Sequence, residues 1–372
     1  MQEQYTVYNK GRMAVNKEET LEIKGLAIIL MFWHHLIGCG SFLFLTENQT
    51  WVPCFGSYDV ILGEGSKVCI ALFAAASGYG LYKSYIGSPS VKGLSAIGKR
   101  AGTFLITYWT MFLIAMPYLA IFGKFHPEWI PVNLFALLHN DEMLYLSFSW
   151  YVKVYIEILL VLPLVKYLDS RIHSLCTDIV LFIVLPVYLC GFLPDAESQF
   201  IGWDTNILSS IRLLLLWYPA FHAGALLAKY KVIEKLSKRY GQASRVSIVF
   251  AVVAVLILIE YWRRRFFGGY TDALCVAGII LLVDFCHKNA KWDGPSKLLK
   301  FLGKYSFQYW LLSGMFFLNT TEFQFLLVLP KYSVLILPWS FLLITPFVIL
   351  MSKISDLICA AVLRRPASAA GT

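Results

Sequence analysis

Two adjacent histidines, His34 and His35, lie well inside the apolar run LEIKGLAIILMFWHHLIGCG that opens at Leu21. Polar side chains in such a stretch are costly and are as a rule paired or functional. Lys24 precedes His35 by eleven residues, and eleven steps of 100° fall within about 20° of whole turns, so both occupy one helix face with a rise of about 16 Å between them. His34 faces about 100° away. A neutral imidazole can take a proton from a hydroxyl, and a lysine near a helix end can meet an anion. The same residues also fit quieter roles: a histidine bonding across a helix contact, the reading preferred for His34, and an interfacial lysine anchor. Lys153 and Glu157 stand four apart in another apolar run, either a self-neutralising pair or part of a site. Arg263, Arg264 and Arg265 sit among Tyr261, Trp262, Phe266 and Phe267, a cluster suited to anionic lipid headgroups or to an anionic, sugar-bearing ligand. The 8 Cys include no CxxC or CxH spacing, so no metal site is expected, and Cys69, Cys176, Cys190, Cys275 and Cys286 read as small core residues.

The elements that must position these groups are membrane helices. Apolar residues make up 58% of the 372-residue chain and charged residues only 15%, with a mean hydropathy of +0.64; the bilayer is the solvent such a balance requires. Spans of about 20 apolar residues are expected near 24–45, 67–86, 103–123, 145–166, 177–193, 207–229, 246–262, 271–287, 303–319 and 333–352. With a cytoplasmic N-terminus and alternation at each span, 24 of the 32 Lys and Arg fall on the inside, six on the outside and two within spans, as the positive-inside rule demands. That bias accounts for the net charge of +9 without nucleic acid. The expected architecture is an all-α polytopic transmembrane bundle of about ten helices with both termini cytoplasmic: a cytoplasmic segment 1–23, a membrane domain 24–353 and a cytoplasmic tail 354–372.

KGLAIILMFWHH resembles the first helix of the membrane-bound acyltransferase family 3, in which an Arg, a Gly-Leu-Ala run and a catalytic His recur. Lys24 stands in the place of the Arg and His35 at the position of the His. FAAASGYGLYKSY, with Ser77 and Gly78, resembles the second-helix segment of that family, and GKRAGTFLITYW, with Lys99 and Arg100, its basic approach to the third. Trp150 and Pro163 match the spacing of a later motif, with Tyr155 where Glu is common, and LGKYSFQYWLLS resembles a late helix, with Ser313 where His often stands. Ser77 and Gly78 read as small residues for close helix packing rather than as a nucleophile turn.

The resemblance implies O-acyl transfer, usually of acetyl, from cytoplasmic acyl-CoA to a carbohydrate or lipid-linked glycan. The donor is a co-substrate and no further cofactor is expected. His35 is then the general base and Lys24 the cation that orients the donor. Lys99, Arg100, Trp150, Lys153, Glu157 and the three arginines 263–265 are the expected substrate-binding residues, and the membrane is expected to be a bacterial inner membrane. A transporter or polysaccharide exporter would use intramembrane charge too, but no paired halves are visible; a non-catalytic membrane partner of the same fold is the other rival.

Overall fold

A computed structural model describes residues 15–38, 52–88, 93–135, 149–193, 203–240, 254, 272–287, 293–319 and 325–363, and those residues are helical, with one isolated bridge between Val52 and Tyr332 and no strand. In chain order the helices are α1 Lys17–Gly38, α2 Tyr58–Ile86, α3 Gly93–Ile121, α4 Ile130–Phe135, α5 Trp150–Asp169, α6 Leu175–Cys190, α7 Trp203–Lys229, α8 Val232–Tyr240, α9 Asp272–His287, α10 Asp293–Lys304, α11 Ser306–Gly314 and α12 Ser333–Leu363. Five of them, α1, α2, α3, α7 and α12, contain stretches long and apolar enough to cross a membrane. The 20 residues of α5 reach about 30 Å but carry Lys153, Glu157 and Lys166. Helices α6 and α9 are apolar and shorter. The expected span at 246–262 and the arginines after it lie outside the described residues, Ala254 excepted.

Helix α1 starts earlier than hydropathy suggests, because Asn16 and Glu19 form a capping box. The Glu19 amide donates to Asn16 Oδ1 at 2.9 Å and the Asn16 amide to Glu19 Oε2 at 2.7 Å, satisfying two amides that a helix start leaves open. The expected span at 303–319 is divided instead: Gly303 belongs to α10, the chain turns at Tyr305, and α11 begins at Ser306. Helix α10, in a segment expected to be an inside loop, turns Ser296, Leu299, Leu302 and Gly303 inward against α1 and leaves Lys297 and Lys304 exposed.

Two reciprocal glycine contacts set the closest helix crossings. A methyl group added at Gly25 would lie 2.0 Å from the Leu299 carbonyl oxygen, and one at Gly303 would lie 1.9 Å from that of Leu21, so α1 and α10 touch backbone to backbone. Gly78 and Gly224 do the same for α2 and α7, at 1.9 Å from Phe221 O and 2.0 Å from Ala75 O. Without a hydrophobic driving force inside lipid, such close approach is how helices gain dispersion energy. The packing role expected of Gly78 follows from this contact.

Polar links tie the two ends of the bundle. At the end where Lys24 lies, Lys229 bridges Asp169 and Asp178, each at 2.8 Å, and donates to Ile172 O at 3.0 Å. Tyr230 donates to Asp178 at 2.6 Å; burial and that carboxylate push its phenol above the ordinary range. Lys166 caps the end of α2 through Tyr85 O and Ser88 O. Glu22, fully buried, accepts from Ser296 and lies 2.9 Å from His287 Nδ1. At the other end His34 Nδ1 donates to Gly63 O at 2.9 Å, the cross-helix role expected of it. Asp59 accepts from Ser333 there at 3.0 Å.

Candidate active site

Helix α3 presents Ala96, Lys99, Arg100, Thr103 and Thr107 along one side, at the three- and four-residue steps that put side chains on a common face. That face borders a cavity of about 500 Å³. Opposite it stand Thr20 and Lys24 of α1, then Ala76, Ser77 and Gly80 of α2, with Tyr155 of α5 and Phe307 of α11 closing the inner end. Three of the expected site residues, Lys24, Lys99 and Arg100, therefore meet in one hollow. Phe104 packs against Tyr155 at 4.5 Å and stacks on Phe307 at 4.0 Å, which gives the hollow an aromatic wall.

The electrostatics of the hollow are one-sided. Arg100 is near enough for its charge to act on both Lys24 and Tyr155. No ion pair involves Lys24, Lys99 or Arg100 among the described residues. Cations that repel one another in a partly desolvated concavity are stabilised by an anion placed between them. The hydroxyls of Thr103 and Thr107 donate to Lys99 O and Thr103 O, each at 2.9 Å, so their oxygens remain able to accept from a ligand.

His35 occupies the π turn His34–Gly38 at the far end of α1, its ring 5.0 Å from that of His34, with Lys67 within electrostatic reach. It is absent from the cavity wall. Between Lys24 and His35, on the same face by spacing, stand Ile28 and Met31, both fully buried. The cation cluster and the histidine are thus separate stations along one helix.

The remaining expected residues lie elsewhere. Trp150 packs its ring 5.8 Å from Tyr151 and 6.0 Å from Trp217. Lys153 donates to Ser210 of α7, and Glu157 is near enough for the two charges to act on each other, though no contact between them is short enough for an ion pair. Glu157 lies one turn further along α5, with Oε2 buried and unbonded among the described residues. None of these three lines the cavity. Arg263, Arg264 and Arg265 lie outside the described residues. Ser313 is fully buried and donates to Trp310 O at 2.7 Å. Cys176, expected in the core, is exposed, whereas Cys69, Cys190 and Cys275 are buried. Residue reasoning missed Thr20, Thr103 and Thr107 as wall residues; the last two were available from their helical spacing to Lys99 and Arg100.

Fold and site together define an all-helical integral membrane protein with a cation-lined hollow at one end of its bundle. The family model for the acyltransferase domain of acyltransferase family 3 matches residues 22–354, and the chain belongs to that family. It is an acyltransferase. No curated protein and no solved structure matches it.

Proposed function

We propose that the protein transfers an acetyl group from cytoplasmic acetyl-CoA to a hydroxyl of a carbohydrate or lipid-linked glycan. The observation that carries this reading is the convergence of Lys24, Lys99 and Arg100, none in an ion pair among the described residues, on one cavity. The diphosphate of a CoA thioester is the anion such a cluster suits: Arg100 meets it as a planar fork and the lysines as point charges. In this reading the end of the bundle that gathers Lys83, Lys99, Arg100, Lys166, Lys229 and the α10 lysines faces the cytoplasm. The chain crosses about ten times, both termini are cytoplasmic, and the membrane is a bacterial inner membrane.

The separation of the two stations supports the choice of donor. His35 lies about 16 Å of helix rise beyond Lys24, a length that about five extended residues of chain would span. A thioester on a pantetheine arm reaches that far from its phosphates, whereas acetyl phosphate does not. At His35 the neutral imidazole takes the proton of the acceptor hydroxyl while the oxygen attacks the thioester carbonyl carbon. The carbon–sulfur bond then breaks, and the departing CoA sulfur takes the proton back from the imidazolium. Trp150, Lys153 and Glu157 hold the acceptor, together with Arg263, Arg264 and Arg265.

Transfer of labelled acetyl from acetyl-CoA to envelope glycans in membranes carrying the protein tests the reading, beside His35→Ala and Lys24→Ala proteins present at equal amounts. Transfer by the wild type that both variants lose supports it. Surface glycans with identical O-acetyl content in the presence and absence of the protein would overturn it.

A further inference from the structure

The cavity at Lys24 does not end at Lys99. A second cavity, of about 800 Å³, lies between the first turns of α3 and the last turns of α12, bordered by Ser95, Gly98, Lys99, Thr103, Cys359, Ala360 and Leu363. Lys99 and Thr103 belong to both walls, so the two hollows adjoin and the Lys99 ammonium stands at their junction. The walls of the second are built from small side chains, and a methyl group added at Gly98 would meet nothing within 4 Å. Pockets of about 300–1,000 Å³ suit drug-sized ligands. An acyl-CoA is larger than such ligands, so the first cavity holds only part of it.

Resting on the donor assigned above, we propose that the α3–α12 cavity is the subsite for the adenine nucleotide half of the donor. Lys99 bridges that half to the diphosphate held by Lys24 and Arg100. Three observations converge on this: the adjoining walls, the shared cation, and small polar residues, Ser95 and Thr103, beside an aliphatic surface of Ala360 and Leu363, a mixture that suits a base and a ribose rather than an acyl chain. The thin arm of the donor then leaves the first cavity toward His35, and the nucleotide stays outside the path of the reaction. Thioesters lacking the nucleotide gain nothing from the second cavity.

The test compares acetyl-CoA with acetyl-pantetheine, which lacks the nucleotide, on the wild type and on Gly98→Trp and Ala360→Trp, which fill the second cavity from opposite walls. The expected result is a KM for acetyl-CoA raised at least tenfold in each variant, with KM for acetyl-pantetheine and kcat for both donors unchanged. Equal effects on the two donors, or none on either, overturn the subsite. Binding of adenosine 3′,5′-bisphosphate to the wild type in nanodiscs, with an azido form marking its contacts, needs no variant. Labelling within 95–103 and 359–363 supports the subsite, and labelling elsewhere or no binding overturns it. Bisphosphate binding by a protein that transfers no acetyl leaves the subsite standing and refutes the proposed function; acetyl transfer indifferent to both tryptophans does the reverse. A phospholipid occupying the cavity without blocking the bisphosphate also overturns it.

Discussion

In the proposed donor site Lys24 offers a compact ammonium where a guanidinium would offer a planar fork, and Arg100, on the wall of the same cavity, would offer that fork from α3. Replacing Lys24 by Met is therefore expected to raise the donor KM about tenfold, the worth of one charge-assisted contact of about 1.4 kcal/mol, while Lys24→Arg keeps or lowers it; initial rates against donor concentration decide. His35 belongs to the other station, so His35→Ala should lower kcat by about 10²–10⁴ and leave donor affinity, measured by equilibrium binding, at the wild-type value. A loss of affinity equal to the loss of rate would show that the two stations are not separate. Lys24, Lys99 and Arg100 were legible because each sits beside a recognisable run of residues, and helical spacing then orders them. Tyr155 and Phe307 were not, because their place in the wall depends on how α5 and α11 pack, which no periodicity within one helix encodes. Glu22 and His287 illustrate the limit: they are 265 positions apart, and nothing local marks either as the partner of the other.

Helices, rather than side chains, are held in register by the glycine crossings. Gly25→Leu or Gly78→Val forces carbon into a carbonyl oxygen about 2 Å away, and the helix pair must part. Overpacking of this kind costs about 1–3 kcal/mol, so a lower unfolding temperature in detergent is expected for both, with alanine milder than the larger residues. The Lys229 bridge is the second fastener. Lys229→Met strands Asp169 and the fully buried Asp178, and removing one member of a buried ionic cluster costs about 3–5 kcal/mol. Adding Asp169→Asn and Asp178→Asn to Lys229→Met should recover most of the lost stability, because the uncompensated charges go with it. Hydropathy located most of the helices but misjudged their limits, since a capping box is polar and hydropathy windows pass over it. The division between α10 and α11 escaped for a related reason: an amphipathic helix lying against a neighbour has the charge of a loop.

At the scale of the molecule, Lys83, Lys166 and Lys229 bind partners at the end where Lys99 and Arg100 open the cavity, the end that the proposed orientation puts in the cytoplasm. A cysteine placed at Gly98, after the chain's own 8 cysteines have been replaced by serine, is expected to react with a membrane-impermeant maleimide only after cells are permeabilised, whereas one placed at Phe55, exposed at the other end, reacts in intact cells. The opposite pattern would invert the proposed orientation. Ile28, Met31 and Phe32, with no exposed surface between the cavity and His35, bear on more than catalysis. A continuous aqueous path through an energised membrane would conduct ions, and each elementary charge falling through 100 mV dissipates about 2.3 kcal/mol. Three buried apolar side chains leave no open water path along this stretch of α1, and in the proposed reaction the donor arm has to part them to reach His35.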